Sequence, residues 1–104
     1  MSSYKYELII IISNQGHTDE IMETAKENGA RGGTVIHGRS ATNEEAVKFF
    51  GIKIQPEKEL LLIVTTKDKK TNIMKAVSDK HGLSTDTKAL CFSVPVSDIV
   101  GFNF

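Results

Sequence analysis

The sequence predicts an α+β sandwich with the ferredoxin-like order βαββαβ, a four-stranded antiparallel sheet with two helices on one face. Three observations predict it. First, Leu8-Ile9-Ile10-Ile11-Ile12 and Leu60-Leu61-Leu62-Ile63-Val64 are apolar runs of five residues, too short for helices and consistent with strands buried on both faces. Second, each run is followed by residues at helical spacing that end at a glycine: Ile21, Met22, Ala25 and Asn28 before Gly29, and Ile73, Met74 and Val77 before Gly82. Third, the chain repeats at an offset of 52 residues, with Glu7 to Ile12 parallel to Glu59 to Val64 and Ile21-Met22 matching Ile73-Met74. Two strand-helix-strand copies, each a split βαβ unit, intercalate into one sheet.

At 104 residues the chain reads as one domain over 1–104, with the elements falling in this order. A first strand covers Tyr4 to Ser13. Asn14-Gln15-Gly16 breaks it, and Thr18 is expected to cap a helix with Asp19 and Glu20 in its first turn, favourable at the positive end of the helix dipole. The glycine-rich stretch from Gly29 to Ser40 ends that helix and leads into a second strand, about Gly33 to Gly38. Residues 40 to 48 read as a loop or one helical turn. Phe49 to Ile54 is apolar enough to pack on something, and Gln55-Pro56-Glu57 ends it. The third strand spans Lys58 to Thr66, Asp68 is expected to cap a helix of about Lys69 to His81, and Gly82 stops it. A polar turn over Leu83 to Thr87 precedes a fourth strand, Lys88 to Val94, whose continuation Pro95 restricts. The tail Ile99 to Phe104 is apolar enough to dock on this or a neighbouring subunit. Uniformly apolar strands should not leave the second sheet face in water, so an oligomer with facing sheets is expected.

Thirteen basic residues balance thirteen acidic ones, so no net field draws the chain to nucleic acid or to an anionic membrane. The five-residue apolar runs are far shorter than a membrane span, and the N-terminus has neither the basic segment nor the long apolar region of a signal peptide. A cytoplasmic protein without membrane insertion is the expectation. The single cysteine, Cys91, has no partner for an internal disulfide and reads as a small core residue.

No constellation for catalysis stands out, and the expectation is a protein that is not an enzyme. Glu44-Glu45 reads as a solvated pair in a loop, and Ser93 has no base partner. Lys67-Asp68-Lys69-Lys70 is a helix start with no aromatic interleaved, unlike a single-strand nucleic-acid surface. His37 sits beside the end of the second strand, where a metal or acid-base role would need further ligands. His81 next to Gly82 complements a helix C-terminus. Gly38-Arg39-Ser40 offers flexible backbone, a positive charge and a hydroxyl, the parts of an anion cradle.

Four features, spread over nearly the whole chain, resemble the PII-like signalling proteins. They are Gly32-Gly33-Thr34-Val35 leading to Gly38-Arg39; the long connection closing on Gln55-Pro56-Glu57-Lys58-Glu59-Leu60, like the base of the family's T-loop; the helix that runs into Gly82 and a short loop ending at Lys88, like its B-loop; and Phe92-Ser93-Val94-Pro95-Val96, similar to its fourth strand. The resemblance implies a homotrimer that binds ATP or ADP, with no cofactor of its own, in clefts between subunits. It also implies control of a partner, a transporter or an enzyme, through the segment of about 40–57. By position, Thr34 would contact adenine, Ile63 would line the base, Lys88 would reach the phosphates, and Gly38 and Arg39 would close over them. Phe49 and Phe50 would dock the partner or pack on the trimer. The chain departs from the family in a loop 82–88 with one glycine, in a tail without arginine, and in a shorter connection without tyrosine. These departures keep open an alternative, a structural or interaction trimer without nucleotide binding.

Overall fold

The computed structural model describes residues 4–41, 47–49, 52–54 and 57–101. Eight elements follow in order: β1 (Tyr6–Asn14), α1 (Thr18–Glu27), β2 (Thr34–Arg39), β3 (Val47–Phe49), β4 (Ile52–Ile54), β5 (Glu57–Thr66), α2 (Lys67–His81) and β6 (Leu90–Val96). The main sheet is antiparallel with strand order β2-β5-β1-β6, the intercalation that the internal repeat implies. β3 and β4 form a separate two-stranded sheet within the segment that the sequence reads as a loop. Val, Phe and Ile favour the pleated conformation, which accounts for strands there.

The pleat sorts the side chains. On β1 the buried positions are Glu7, Ile9, Ile11 and Ser13, and on β5 they are Glu59, Leu61, Ile63 and Thr65. Ile9, Ile11, Leu61 and Ile63 join Ile21 and Ala25 of α1 and Ile73 and Val77 of α2 in one core. Each of the Ile, Leu and Val side chains so taken out of water stabilises the fold by about 1.5–3 kcal/mol. The opposite sheet face carries Leu8, Ile10, Ile12, Leu60, Leu62 and Val64, all half-buried, flanked by Ile36, Leu90, Phe92 and Val94 at 40 to 50 % exposure. Nothing in the chain's described elements covers that face.

Several boundaries differ from the sequence reading. α1 begins at Thr18 with His17 as its N-cap, and the Ile21 N–H donates to the His17 carbonyl at 3.1 Å, so Thr18 is the first helical residue and not the cap. α2 begins at Lys67 directly after β5, with extended Thr66 as its N-cap, which places Asp68 inside the first turn. β6 continues through Pro95 to Val96, because it is an edge strand, where a missing N–H can be tolerated.

The two helix stops work by different physics. After α1, Gly29 has φ +109, its N–H donates to the Lys26 carbonyl, and the Ala30 N–H donates to the Ala25 carbonyl at 3.0 Å, a Schellman closure. Gly82 instead has φ −71, open to any residue, but a Cβ there would stand 2.4 Å from the Ser78 carbonyl oxygen. His81 stands in the last turn of α2, as the sequence reading has it, and is buried there with Nε2 2.8 Å from Thr24 Oγ1 on α1.

Candidate functional site at one end of the sheet

The registers align one transverse row across three strands. Gly38 of β2 pairs with Lys58 of β5, and Lys58 pairs with Asn14 of β1. From Asn14 the row continues into the loop before β6, because the Asn14 N–H donates to the Thr87 carbonyl at 3.0 Å and Asn14 Nδ2 donates to the Asp86 carbonyl at 3.0 Å. Lys58 Nζ donates to Asn14 Oδ1 at 2.8 Å. The next row outward pairs Arg39 with Glu57, and the next row inward joins His37, Glu59 and Ser13.

A cleft of about 760 Å³ opens beside this row. Ile12, Leu83 and Leu90 give it apolar walls, while Asn14, Glu57, Lys58 and Lys88 give it polar ones. Two ammonium groups against one carboxylate leave the lining with net positive charge, suited to a small anion that also carries apolar surface. A second cleft of about 740 Å³ runs between α2 and β6, beside Lys75 and Cys91. There burial pushes the Cys91 thiol up to about 11, so it is a neutral, unreactive group at neutral pH.

The backbone at Lys88 is unusual, with φ 50, the left-handed region that costs a side-chain-bearing residue about 1–2 kcal/mol. It is held there by its surroundings. The Lys88 N–H donates to the Thr85 carbonyl at 3.2 Å, the Thr85 N–H donates to the Gly82 carbonyl at 3.0 Å, and the Ala89 N–H donates to the His81 carbonyl at 2.8 Å. Those three amides are therefore spent on backbone carbonyls, while Lys88 brings a cation to the cleft lining.

The predicted site residues do not converge within one chain. Thr34 and Gly38 share the open face of β2, but a strand rise of about 3.3 Å per residue separates them by about 13 Å. Arg39 points by alternation to the other face, where His37 also lies. β2 and β6 stand at opposite edges of the sheet, about 14 Å apart at 4.8 Å per strand, so Lys88 meets Lys58 and Asn14 and not Arg39. Ile63 is fully buried under the helices and has no surface for a ligand, a correction to its expected role against the base. Its neighbours Leu62 and Val64 hold the open face. Ser40, expected to offer a hydroxyl, is buried. Phe49 lies in β3, paired with Ile52, and Phe50 lies outside the described residues.

Sequence reasoning misses Asn14 and Lys58 as site residues. The signal for Lys58 is its place at the end of the long connection; nothing in the sequence points to Asn14, which looks like a strand breaker. Glu59 carries a signal only through its match to Glu7 in the repeat and its place at the end of the long connection. It is a buried carboxylate whose Oε1 accepts the Gly16 N–H at 2.7 Å and whose Oε2 lies 3.3 Å from Nδ1 of exposed His37. No three His, Cys, Asp or Glu side chains gather in metal-binding geometry among the described residues. No described helix is long and apolar enough to cross a membrane.

No family profile matches the sequence, and no curated protein matches it. Solved structures do. PII of Arabidopsis thaliana bound to citrate superposes with a TM-score of 0.67 at 19 % identity, over 94 % of this chain and 81 % of that one. A protein from Thermus thermophilus, described as a PII-like signalling protein, superposes with a TM-score of 0.68 at 14 % identity, over 92 % and 90 %. The strand order, the two helices on one sheet face and the long connection before β5 are thus the fold of the PII and PII-like signalling proteins.

Proposed function

We propose that this chain is a PII-like regulatory protein and not an enzyme. In this reading it assembles as a homotrimer through its open sheet faces and binds a small anionic effector, an adenine nucleotide such as ATP or ADP, in the clefts between subunits. Segment 40–57, with Phe49 and Phe50, then passes the signal to a transporter or an enzyme in the cytoplasm. The observation that carries this reading is the cleft lined by both Lys58, at the root of that segment, and Lys88, held at φ 50. Assembly supplies what one chain lacks, since Thr34, Gly38 and Arg39 of β2 lie at the far edge and need a second subunit's loop 82–88 beside them. The citrate named with the Arabidopsis PII, a tricarboxylate, fits the same class of ligand.

The internally bonded amides of Thr85, Lys88 and Ala89 favour a second reading, a trimer that works through protein contacts alone. Calorimetry separates the two. Titration of the purified protein with ATP, ADP and citrate is expected to give saturable heat for a nucleotide, with affinity reduced about tenfold or more in Lys88→Ala through loss of one charge-assisted contact of ~1.5–3 kcal/mol. Absence of heat at millimolar concentrations of all three ligands would leave the second reading.

A further inference from the structure

The Asn14 side chain bridges the loop before β6 and Lys58 at the start of β5. It donates Nδ2–H to the Asp86 carbonyl at 3.0 Å and accepts at Oδ1 from Lys58 Nζ at 2.8 Å, while its own N–H holds the Thr87 carbonyl. A side-chain amide has both the acceptor and the donors that this bridge requires; a carboxylate would keep the contact to Lys58 and lose the one to Asp86, and an apolar side chain would lose both. Asp86 and Thr87 immediately precede Lys88, so the two carbonyls that Asn14 holds help set the left-handed backbone at that cation. Lys58 is the second residue of β5 and closes the 40–57 segment.

We propose that Asn14 is a positioning residue that couples loop 82–88 to the root of segment 40–57. Any event that draws the Lys58 ammonium away, whether an anion in the cleft or a partner on the segment, removes one of the bonds that orient the Asn14 amide and loosens its hold on Asp86. A change in loop 82–88 acts on Lys58 in the reverse direction, because coupling between two sites is reciprocal. What the signal is rests on the regulatory reading above; the coupling itself does not.

Amide hydrogen exchange on the full-length protein tests it in four forms: wild type, Lys58→Met, Asn14→Asp and the double variant. Lys58→Met is expected to raise exchange at the hydrogen-bonded amides of Thr85, Lys88 and Ala89 several-fold when Asn14 is present. Once residue 14 is Asp, it should add nothing. Core amides such as those of Ile9 and Ile63 should keep wild-type protection in all four, which separates decoupling from unfolding, and Asn14→Ala repeats the measurement without adding a charge. If Lys58→Met has the same effect on the loop with and without Asn14, the proposal is overturned. A parallel ATP titration reports on the nucleotide reading alone, so silence there coupled to a non-additive exchange pattern leaves the coupling standing.

Discussion

Glu59 Oε1 accepts the Gly16 N–H at 2.7 Å, so a buried carboxylate of β5 fixes the turn between β1 and α1. The other copy of the repeat does the corresponding thing at the opposite end of the sheet. Glu7, 52 positions earlier, is buried on the same face and accepts Lys70 Nζ of α2 at 2.8 Å. A buried carboxylate is tolerated only with partners, and each of these finds one in the helical half that follows the other long strand. Glu59→Leu leaves the Gly16 N–H without its acceptor and is expected to cost about 1–3 kcal/mol in urea unfolding. Glu59→Gln keeps a carbonyl acceptor in the same place, and its midpoint should fall close to wild type.

Adjacent glycines that the sequence does not distinguish differ sharply in the fold. A Cβ at Gly33 would lie 2.8 Å from Leu61 Cδ1, 3.0 Å from the Leu62 carbonyl oxygen and 3.1 Å from Met22 Sδ, whereas one at Gly32 would meet nothing within 4 Å. Gly33→Ala forces α1 and β5 apart and should destabilise by about 1–3 kcal/mol, as overpacked cores do. Gly32→Ala should leave the thermal midpoint unchanged or slightly raised. Equal effects at both positions would mean that the close approach of Met22 and Leu61 does not hold in solution.

The strand order is legible in the repeat, because two split βαβ units have one compact way to intercalate, and the core is legible in the apolar period. The row Gly38–Lys58–Asn14 is not, since register depends on pairing between strands distant in sequence and a one-residue slip would send Lys58 to the helix side. His81 and Glu59 are legible only as surface types. Their burial comes from the partners Thr24 and Gly16, which are distant in sequence. Family position assigns Ile63 to the ligand, and the pleat turns it inward.

The open sheet face yields an assembly prediction. Ile36 and Phe92 stand on it at opposite edges, 46 % and 40 % exposed in the single chain, so neither is needed for the core. Ile36→Lys and Phe92→Glu should therefore fold, with wild-type far-ultraviolet dichroism. If the faces meet in an oligomer, each substitution buries an unpaired charge at the interface. Sedimentation is expected to give a multiple of 11.4 kDa for the wild type and the single-chain mass for both variants. A wild type that sediments as one chain would remove the trimer from the proposed function.

The Cys91 thiol supplies a pH test whose sign follows from burial. Desolvation disfavours the thiolate and raises the thiol from 9.0 to about 11 in the folded chain. Below pH 9 the thiol is neutral in folded and unfolded chains alike, and its contribution to stability is fully present. As pH rises from 9 towards 11, the unfolded chain releases this proton first, which favours unfolding, so the contribution is progressively lost. A Cys91→Ala variant carries every other ionisable group unchanged and so isolates the thiol. The stability of wild type relative to Cys91→Ala, from urea unfolding at about pH 7.5 and about pH 10.5, should therefore fall at the higher pH. Iodoacetamide should modify the folded wild type more slowly at about pH 8 than it modifies the urea-unfolded chain. A pH-independent difference between the two proteins would place the thiol in water, outside the packing of β6 against the core.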